Sequence, residues 1–437
     1  LATAATLLLH APTSSHAAEK AVAARTLTLE QALADARAHQ PALVAARATR
    51  LAAEAQADQA RAGLLPQVSG NANYSLSTAN FVTRPGSLPN GQIIGGSTSW
   101  TTHDYWSFGL SANQLLWDFG QTPGRWRAAE ASASAQGASE RATTSDVAYQ
   151  VRNAFFTARA ARALVHVAEE TLANQERHLA QIQGFVELGS RPAIDLSQAK
   201  ADRGNARVQL INAQNSYDVG RATLLQATGV EGDVDFELGE DTMAAVDGEE
   251  APLTVLVDEA VRARPELASL SWLITSQEQS LRAARGTYAP TLSAGTSFSD
   301  AGPDLNNLVW NWSGGLTLSW NLFQGGATQA SVRQNTALMA RAKAQLDTER
   351  QQIRLEVQQA QLGVRAARAA KEAASETRVS AADRLRLAEG RYQTGVGNII
   401  ELGDAQVAYT SAAAQEVQAE FQLFSARAQL LHALGRP

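Results

Sequence analysis

Two hydrophobic periods alternate along this chain, one of two residues and one of three and a half. Trp106, Phe108, Leu110 and Ala112 alternate with Ser107, Gly109, Ser111 and Asn113. Such alternation predicts a strand with one apolar and one small polar face. Trp310, Trp312, Leu316, Leu318, Trp320 and Leu322 repeat the pattern against Asn311, Ser313, Thr317, Ser319 and Asn321. Shorter versions occur at Val68, Ala72, Tyr74 and Leu76, and at Leu292, Ala294 and Phe298. Four strands are therefore predicted at about 66–77, 105–117, 290–299 and 309–323. The other period marks a seam through Val147, Val151, Ala154, Ala158, Ala161, Val165, Ala168 and Leu172, repeated at Ile353, Val357, Ala360, Val364 and Ala367. A 3.5-residue seam belongs to a coiled coil, and its alanines let helices approach closely. It predicts long helices over about 122–187 and 327–393, each extending roughly 100 Å. Tips at 188–194 and 394–399 then lead into helices at 195–229 and 400–434.

The two sets are copies. Pro41, Leu43, Arg61 and Pro66 recur 224 residues later as Pro265, Leu267, Arg285 and Pro290. Leu116, Gly189, Leu196, Ala199, Leu225 and Gly229 recur 206 residues later. The first copy thus holds 18 extra residues between its Pro66 and Leu116, which fall in the Pro- and Gly-punctuated stretch Thr78 to Asp104. Loop tips tolerate such length. The chain divides into an apolar start at 1–18, a first repeat at 19–229, an acidic connecting segment at 230–252 and a second repeat at 253–437. Each repeat reads helix, strand, strand, long helix, tip, helix. The expected fold is mostly α with a β-barrel portion.

Tryptophan sharpens the strand reading. Trp100, Trp106, Trp117, Trp310, Trp312 and Trp320 lie in or beside the hairpins. Apolar faces opposite small polar ones, with aromatics near the ends, suit a barrel with lipid outside and water inside. A half-buried soluble sheet also alternates. Four strands cannot close a membrane barrel, and an open edge in lipid is costly. The lipid reading therefore requires a dimer of eight strands or a trimer of twelve.

Composition narrows the chemistry. The 437 residues carry a net charge of −6 and no cysteine, so disulfides and thiolate metal sites are excluded and a basic nucleic-acid footprint is missing. Nucleotide-loop, zinc-protease and serine-hydrolase motifs are absent, and the seven histidines are dispersed. An enzyme, a cofactor and a nucleic-acid partner are not expected. Leu1 to Ala18 reads as a secretory signal remnant, with Ser15-His16-Ala17 as its small-x-small end. Residues 231–250 hold no Lys or Arg and are expected to form an equatorial segment around the middle of the helices where these are interrupted, reading as a solvated linker with a cation site as the alternative.

The tips carry a resemblance. Tyr392-Gln393-Thr394-Gly395-Val396-Gly397-Asn398-Ile399-Ile400-Glu401-Leu402-Gly403-Asp404-Ala405 resembles the helix–turn–helix of the TolC-type outer-membrane efflux proteins. Val186 to Leu196, through Gly189-Ser190-Arg191-Pro192 and Asp195, resembles its first-repeat counterpart. Leu322-Phe323-Gln324-Gly325-Gly326 and Leu116-Trp117-Asp118-Phe119-Gly120 resemble the strand-to-helix exits. The resemblance runs in order along the mature chain. It implies a homotrimer with a twelve-stranded barrel in outer-membrane lipid and a twelve-helix periplasmic tunnel. Such a channel would be the passive exit duct of a tripartite efflux or type I secretion system, fed by an inner-membrane pump through a periplasmic adaptor. It implies gate positions at Asp195, Tyr392, Glu401 and Asp404, with Gly189, Ser190, Arg191, Gly395, Val396, Gly397 and Asn398 as adaptor contacts. Gly397 stands where the family can carry a basic residue, and Val186 where it can carry an aromatic. Gly189, Gly395 and Gly397 are expected to take positive φ in tight turns. Glu401 and Asp404, three apart, share a helix face; they are either a narrow acidic ring or first-turn acids in solvent. The competing function is a periplasmic coiled-coil adaptor or scaffold without a pore.

Overall fold

The computed structural model describes residues 25–78, 100–232 and 236–436. The signal-like start and most of the 78–104 loop lie outside the described residues. Fourteen elements follow in order: β1 (Arg25–Leu27), α1 (Leu29–His39), α2 (Pro41–Ala62), β2 (Gln67–Ser77), β3 (His103–Trp117), α3 (Gln121–Glu187), α4 (Ala193–Thr228), β4 (Phe236–Leu238), α5 (Leu253–Ala263), α6 (Pro265–Gly286), β5 (Thr291–Gly302), β6 (Val309–Ser319), α7 (Ala327–Gln393) and α8 (Ile399–Ala433). Helix lengths match between copies: 11 residues for α1 and α5, 22 for α2 and α6, 67 for α3 and α7.

Three features depart from the sequence reading. The helix leading each copy is two helices, because Pro41 and Pro265 sit at a helix start where the missing N–H costs nothing. The fourth strand ends at Ser319, so Trp320 and Leu322 lie beyond it; the Trp320 Nε1–H donates to the Tyr288 carbonyl at 3.0 Å. The acidic segment is not a solvated linker. Its β4 pairs in parallel with β1, Arg25 opposite Phe236, a contact no local pattern announces.

The chain forms two compact units. One combines the described part of Leu1–Ala38 with Val151–Met243 and Arg378–Phe421. It holds β1, β4 and both tips. Phe155 and Phe156 are fully buried there, although neither belongs to one clean seam. A Cβ on Gly220 would come within 3.1 Å of the Ala158 backbone, which shows how closely α3 and α4 approach.

The other unit combines His39–Gln150, Ala244–Thr377 and Gln422–Pro437. Its core packs Ile353, Val357, Ala360 and Val364 of α7 against Leu256 and Ala260 of α5 and Leu430 and Leu434 at the α8 end. Beside it Glu249, 5% exposed, forms ion pairs with Arg368 and Arg427 and accepts the Val246 N–H at 3.0 Å. Burial pushes this carboxyl up. The Arg427 hydrogen bond, the Val246 N–H and the two guanidinium charges outweigh it and hold the pKa below the usual range. The stabilisation is thus present above pH ~4.3 and lost as pH falls through the depressed value. Glu249→Ala is expected to cost about 3 kcal/mol, since it removes a buried carboxylate paired with the guanidinium of mostly buried Arg427. It should also flatten the acid limb of the unfolding curve. A variant melting like wild type from pH 3 to 7 would refute this.

The same unit carries an antiparallel sheet in the order β2-β3-β5-β6. Register aligns the faces across all four strands. Tyr74 opposes Trp106, Phe108 opposes Asp300, Leu110 opposes Phe298, and Phe298 opposes Trp312. One face therefore carries Val68, Ala72, Phe108, Leu110, Leu292, Leu316 and Leu318, with Asp104 and Asp300 toward its hairpin end, and the other is mostly Ser, Asn, Gly and Thr. Ser69 bonds Ser111 and Ser297 bonds Ser313 across the polar face, each at 2.8 Å. Trp117 has odd parity and by simple alternation would point to the polar side. A bulge between Leu115 and Trp117 sets it opposite Leu292 instead, on the apolar face. Among the described residues the outer edges of β2 and β6 have no partner strand.

Candidate functional site at the helix tips

Two helical turns of matching design close one unit. After α3, Gly189 takes φ +71°; after α7, Gly395 takes φ +83°. Both are left-handed positions that suit glycine. Their amides donate to Val186 and Tyr392 carbonyls, and the next residues, Ser190 and Val396, reach back to Phe185 and Arg391, satisfying helix-end carbonyls. Asn398 caps α8 by accepting the Glu401 N–H at 2.7 Å.

Tyr392, 4% exposed, is the centre of the site. Its ring packs with Ile182, Ala199, Leu402 and Ala405. Its hydroxyl donates to Asp195 Oδ2 at 3.3 Å, and Asp195 is itself buried on the first turn of α4. Arg191 lies over the ring, Cζ 4.4 Å from the centroid. An Arg191 N–H donates to the Tyr392 carbonyl at 3.0 Å and to the Gly397 carbonyl at 3.4 Å. Burial, then the Asp195 charge, pushes the phenol pKa up, with Arg191 pulling the other way. The phenol therefore stays protonated and serves as a donor.

The four gate candidates do not form one group. Asp195 and Tyr392 are joined within the one chain. Glu401 pairs with Arg391 at 3.1 Å, and Asp404 is exposed. Among the adaptor-contact candidates, Gly189, Ser190, Gly395, Val396 and Asn398 are exposed, Arg191 is half-buried and Gly397 is buried. A Cβ on Gly397 would meet the Tyr392 amide at 3.0 Å. Exposed Leu188, Ile194 and Ile400 extend the tip surface; the sequence reading missed them because local pattern assigns apolar residues to a core. It also missed Arg191 as a bridging group, since its acceptors are backbone carbonyls some 200 positions away.

Farther along the helices, Gln175 bonds Gln406 at 2.9 Å, His178 meets Glu389 at 3.4 Å and Arg378 pairs with Glu416. Among the described residues no His, Asp or Glu trio forms a metal-binding group, and no helix is long and apolar enough to cross a membrane.

A sequence profile of the family described as outer membrane efflux protein matches residues 14–230 and 256–436. The probable efflux pump outer membrane protein TtgC of Pseudomonas putida is 26% identical over 307 residues, 68% of this chain and 61% of that protein. The cation efflux system protein CusC of Escherichia coli K12 is 25% identical over 285 residues, 62% of this chain and 60% of that protein. The chain thus spans about three-fifths of the length of these curated relatives. Its fold matches the solved structure of CusC, with TM-score 0.81 at 20% identity over 94% of this chain and 92% of that one. It also matches VceC of Vibrio cholerae, with TM-score 0.80 at 19% identity over 93% and 96%.

Proposed function

Because the chain belongs to the outer membrane efflux protein family, we propose that three copies join their four-stranded sheets into one twelve-stranded barrel in the outer membrane. The observation that carries this reading is the sheet: apolar on one face, polar on the other, in register across four strands, with both edges open. An open edge in lipid leaves backbone groups unpaired at several kcal/mol each. Pairing β2 of one copy with β6 of the next removes every edge. The tryptophans support the span. Trp106, Trp310 and Trp312 lie toward one end of the sheet, Trp117 and Trp320 at the helix end. The eleven steps from Trp106 to Trp117, at ~3.3 Å each and tilted by ~45°, cover roughly 25 Å, the height of a barrel's apolar band. Trp100 is exposed outside any strand.

The helices then form a periplasmic tunnel whose entrance is the ring of tips. The channel is the passive exit duct of a tripartite efflux or secretion system, taking substrate from an inner-membrane pump through a periplasmic adaptor. Exposed Val396, Ile194 and Ile400 give the adaptor an apolar seat. Asp195, Tyr392 and Arg191 hold the two hairpins of each copy together at the entrance. Glu401 shares its charge with Arg391, so exposed Asp404, repeated three times, supplies most of the negative field there. A pore-free adaptor or scaffold has no use for a two-faced sheet with open edges.

Light scattering in detergent tests the assembly. A particle of three 46.4 kDa protomers that opens conducting pores in planar bilayers is expected. A monomer, or a trimer that never conducts, would sink the proposal.

A further inference from the structure

The sheet's two ends carry opposite charge. At the hairpin end the described residues include Asp104, Asp300 and Asp304 and no Lys or Arg. At the helix end, Arg61 closes α2 and Arg285 closes α6, while Arg127 and Arg333 each stand six residues into α3 and α7. These are the same two positions in both copies. All four are exposed, and none makes an ion pair with another described residue. Asp58 and Glu130, one turn away on the same helices, do not pair with them, and Asp118 is buried, accepting the Thr122 N–H to cap α3.

The helices define the depth of Arg127 and Arg333 and the direction of Arg127. Six residues of helix rise about 9 Å, comparable to the headgroup layer beyond a bilayer's hydrocarbon. The arginines thus begin where the Trp117 and Trp320 belt ends. On α3, Gly124 and Ala128 face α6: a Cβ on Gly124 would sit 3.0 Å from Ala283, and the Ser276 hydroxyl donates to the Ala128 carbonyl at 2.8 Å. Thr122 and Glu140 face α2, with Arg50 at 2.7 Å from Glu140. At ~100° per residue the two directions lie about 140° apart. In a closed ring of helices the narrower angle faces the lumen. Arg125 falls inside that angle and Arg127 opposite it, on the outer surface. Arg61 lies over the neighbouring Trp126 ring, 5.9 Å from its centroid.

We propose that Arg61, Arg127, Arg285 and Arg333 form an outward collar that binds the phosphates of anionic phospholipid in the periplasmic leaflet. The collar rests on the barrel reading above. Guanidinium forks suit phosphate oxygens, and each basic residue held at an anionic surface strengthens binding several-fold. The collar would fix the height of the barrel in the membrane.

The full chain, reconstituted as a trimer in phosphatidylcholine vesicles, is tested by tryptophan quenching with brominated phosphatidylglycerol against brominated phosphatidylcholine. Wild type should prefer phosphatidylglycerol at least threefold. R61Q/R127Q/R285Q/R333Q should bring the ratio close to one, the corresponding four-lysine variant should keep most of the preference, and Arg125→Gln should leave it unchanged. No preference in wild type, an unchanged ratio in the four-glutamine variant, or equal loss in Arg125→Gln would overturn the collar. So would full relief of quenching by millimolar inorganic phosphate, which would mark a free-anion site. Failure to insert as a trimer would instead overturn the channel reading, and the collar with it.

Discussion

Leu316→Arg is expected to destabilise the membrane-inserted trimer by about 2–4 kcal/mol, the cost of a cation near the lipid face's midplane. Leu316 lies on β6 between Trp312 and Trp320, 70% exposed in the single chain and opposite Ala294 on the apolar face. Thr317, the next residue, opposes Ser293 on the polar face, so Thr317→Arg should change stability by less than ~1 kcal/mol because its charge meets water in the bore. The pair tests sidedness, since the two arginines stand one position apart in the same strand. Urea titration of the reconstituted protein reads the difference. Equal losses for both variants would mean that the two faces meet the same solvent, and the lipid assignment would fall.

The second large effect is at the tips. Tyr392→Phe with Arg191→Ala should raise single-channel conductance and open probability by tenfold or more. The phenylalanine leaves buried Asp195 without the phenol donor, a bond to a charged group worth roughly 1.5–3 kcal/mol. The alanine removes the cation over the ring and the bonds to the Tyr392 and Gly397 carbonyls. Each 1.4 kcal/mol taken from the closed arrangement shifts its balance tenfold. Planar-bilayer recordings would show it, and conductance equal to wild type in a variant of unchanged melting temperature would count against the clasp. Wild type has a pH signature too. The Tyr392 pKa is raised, so its contribution holds below ~10 and fades only as pH climbs through the raised value. The tip should stay closed across the neutral range and loosen in strong alkali.

Sequence periodicity carried much of the architecture. The Trp106 to Asn113 alternation lies within β3, and the Val151, Ala154 and Ala158 seam is buried on α3. Both follow from repeats of two and three and a half residues, which depend only on backbone geometry. Equal spacing between the copies likewise announced paired elements, because helices that run side by side need matched lengths. The turn glycines were legible in part: Gly189 and Gly395 take the left-handed backbone that selects glycine, whereas Gly397, expected to do the same, does not and is held to glycine by the nearby Tyr392 amide.

Long-range partners were not legible in this way. The β1–β4 pairing joins residues over 200 apart, and three-residue strands carry no period. The Leu115–Trp117 bulge reverses the face of Trp117, which residue parity alone assigns wrongly. The division of the three acids into a buried tie at Asp195, an ion pair at Glu401 and an exposed charge at Asp404 depends on which partners the fold brings near. So does the conversion of Glu249 from a linker charge into a buried, doubly paired carboxylate. Local backbone preference is written in neighbouring residues, and the sequence determined the elements by that route. Electrostatic partnership depends on distance in space, which the chain sets only when it has folded.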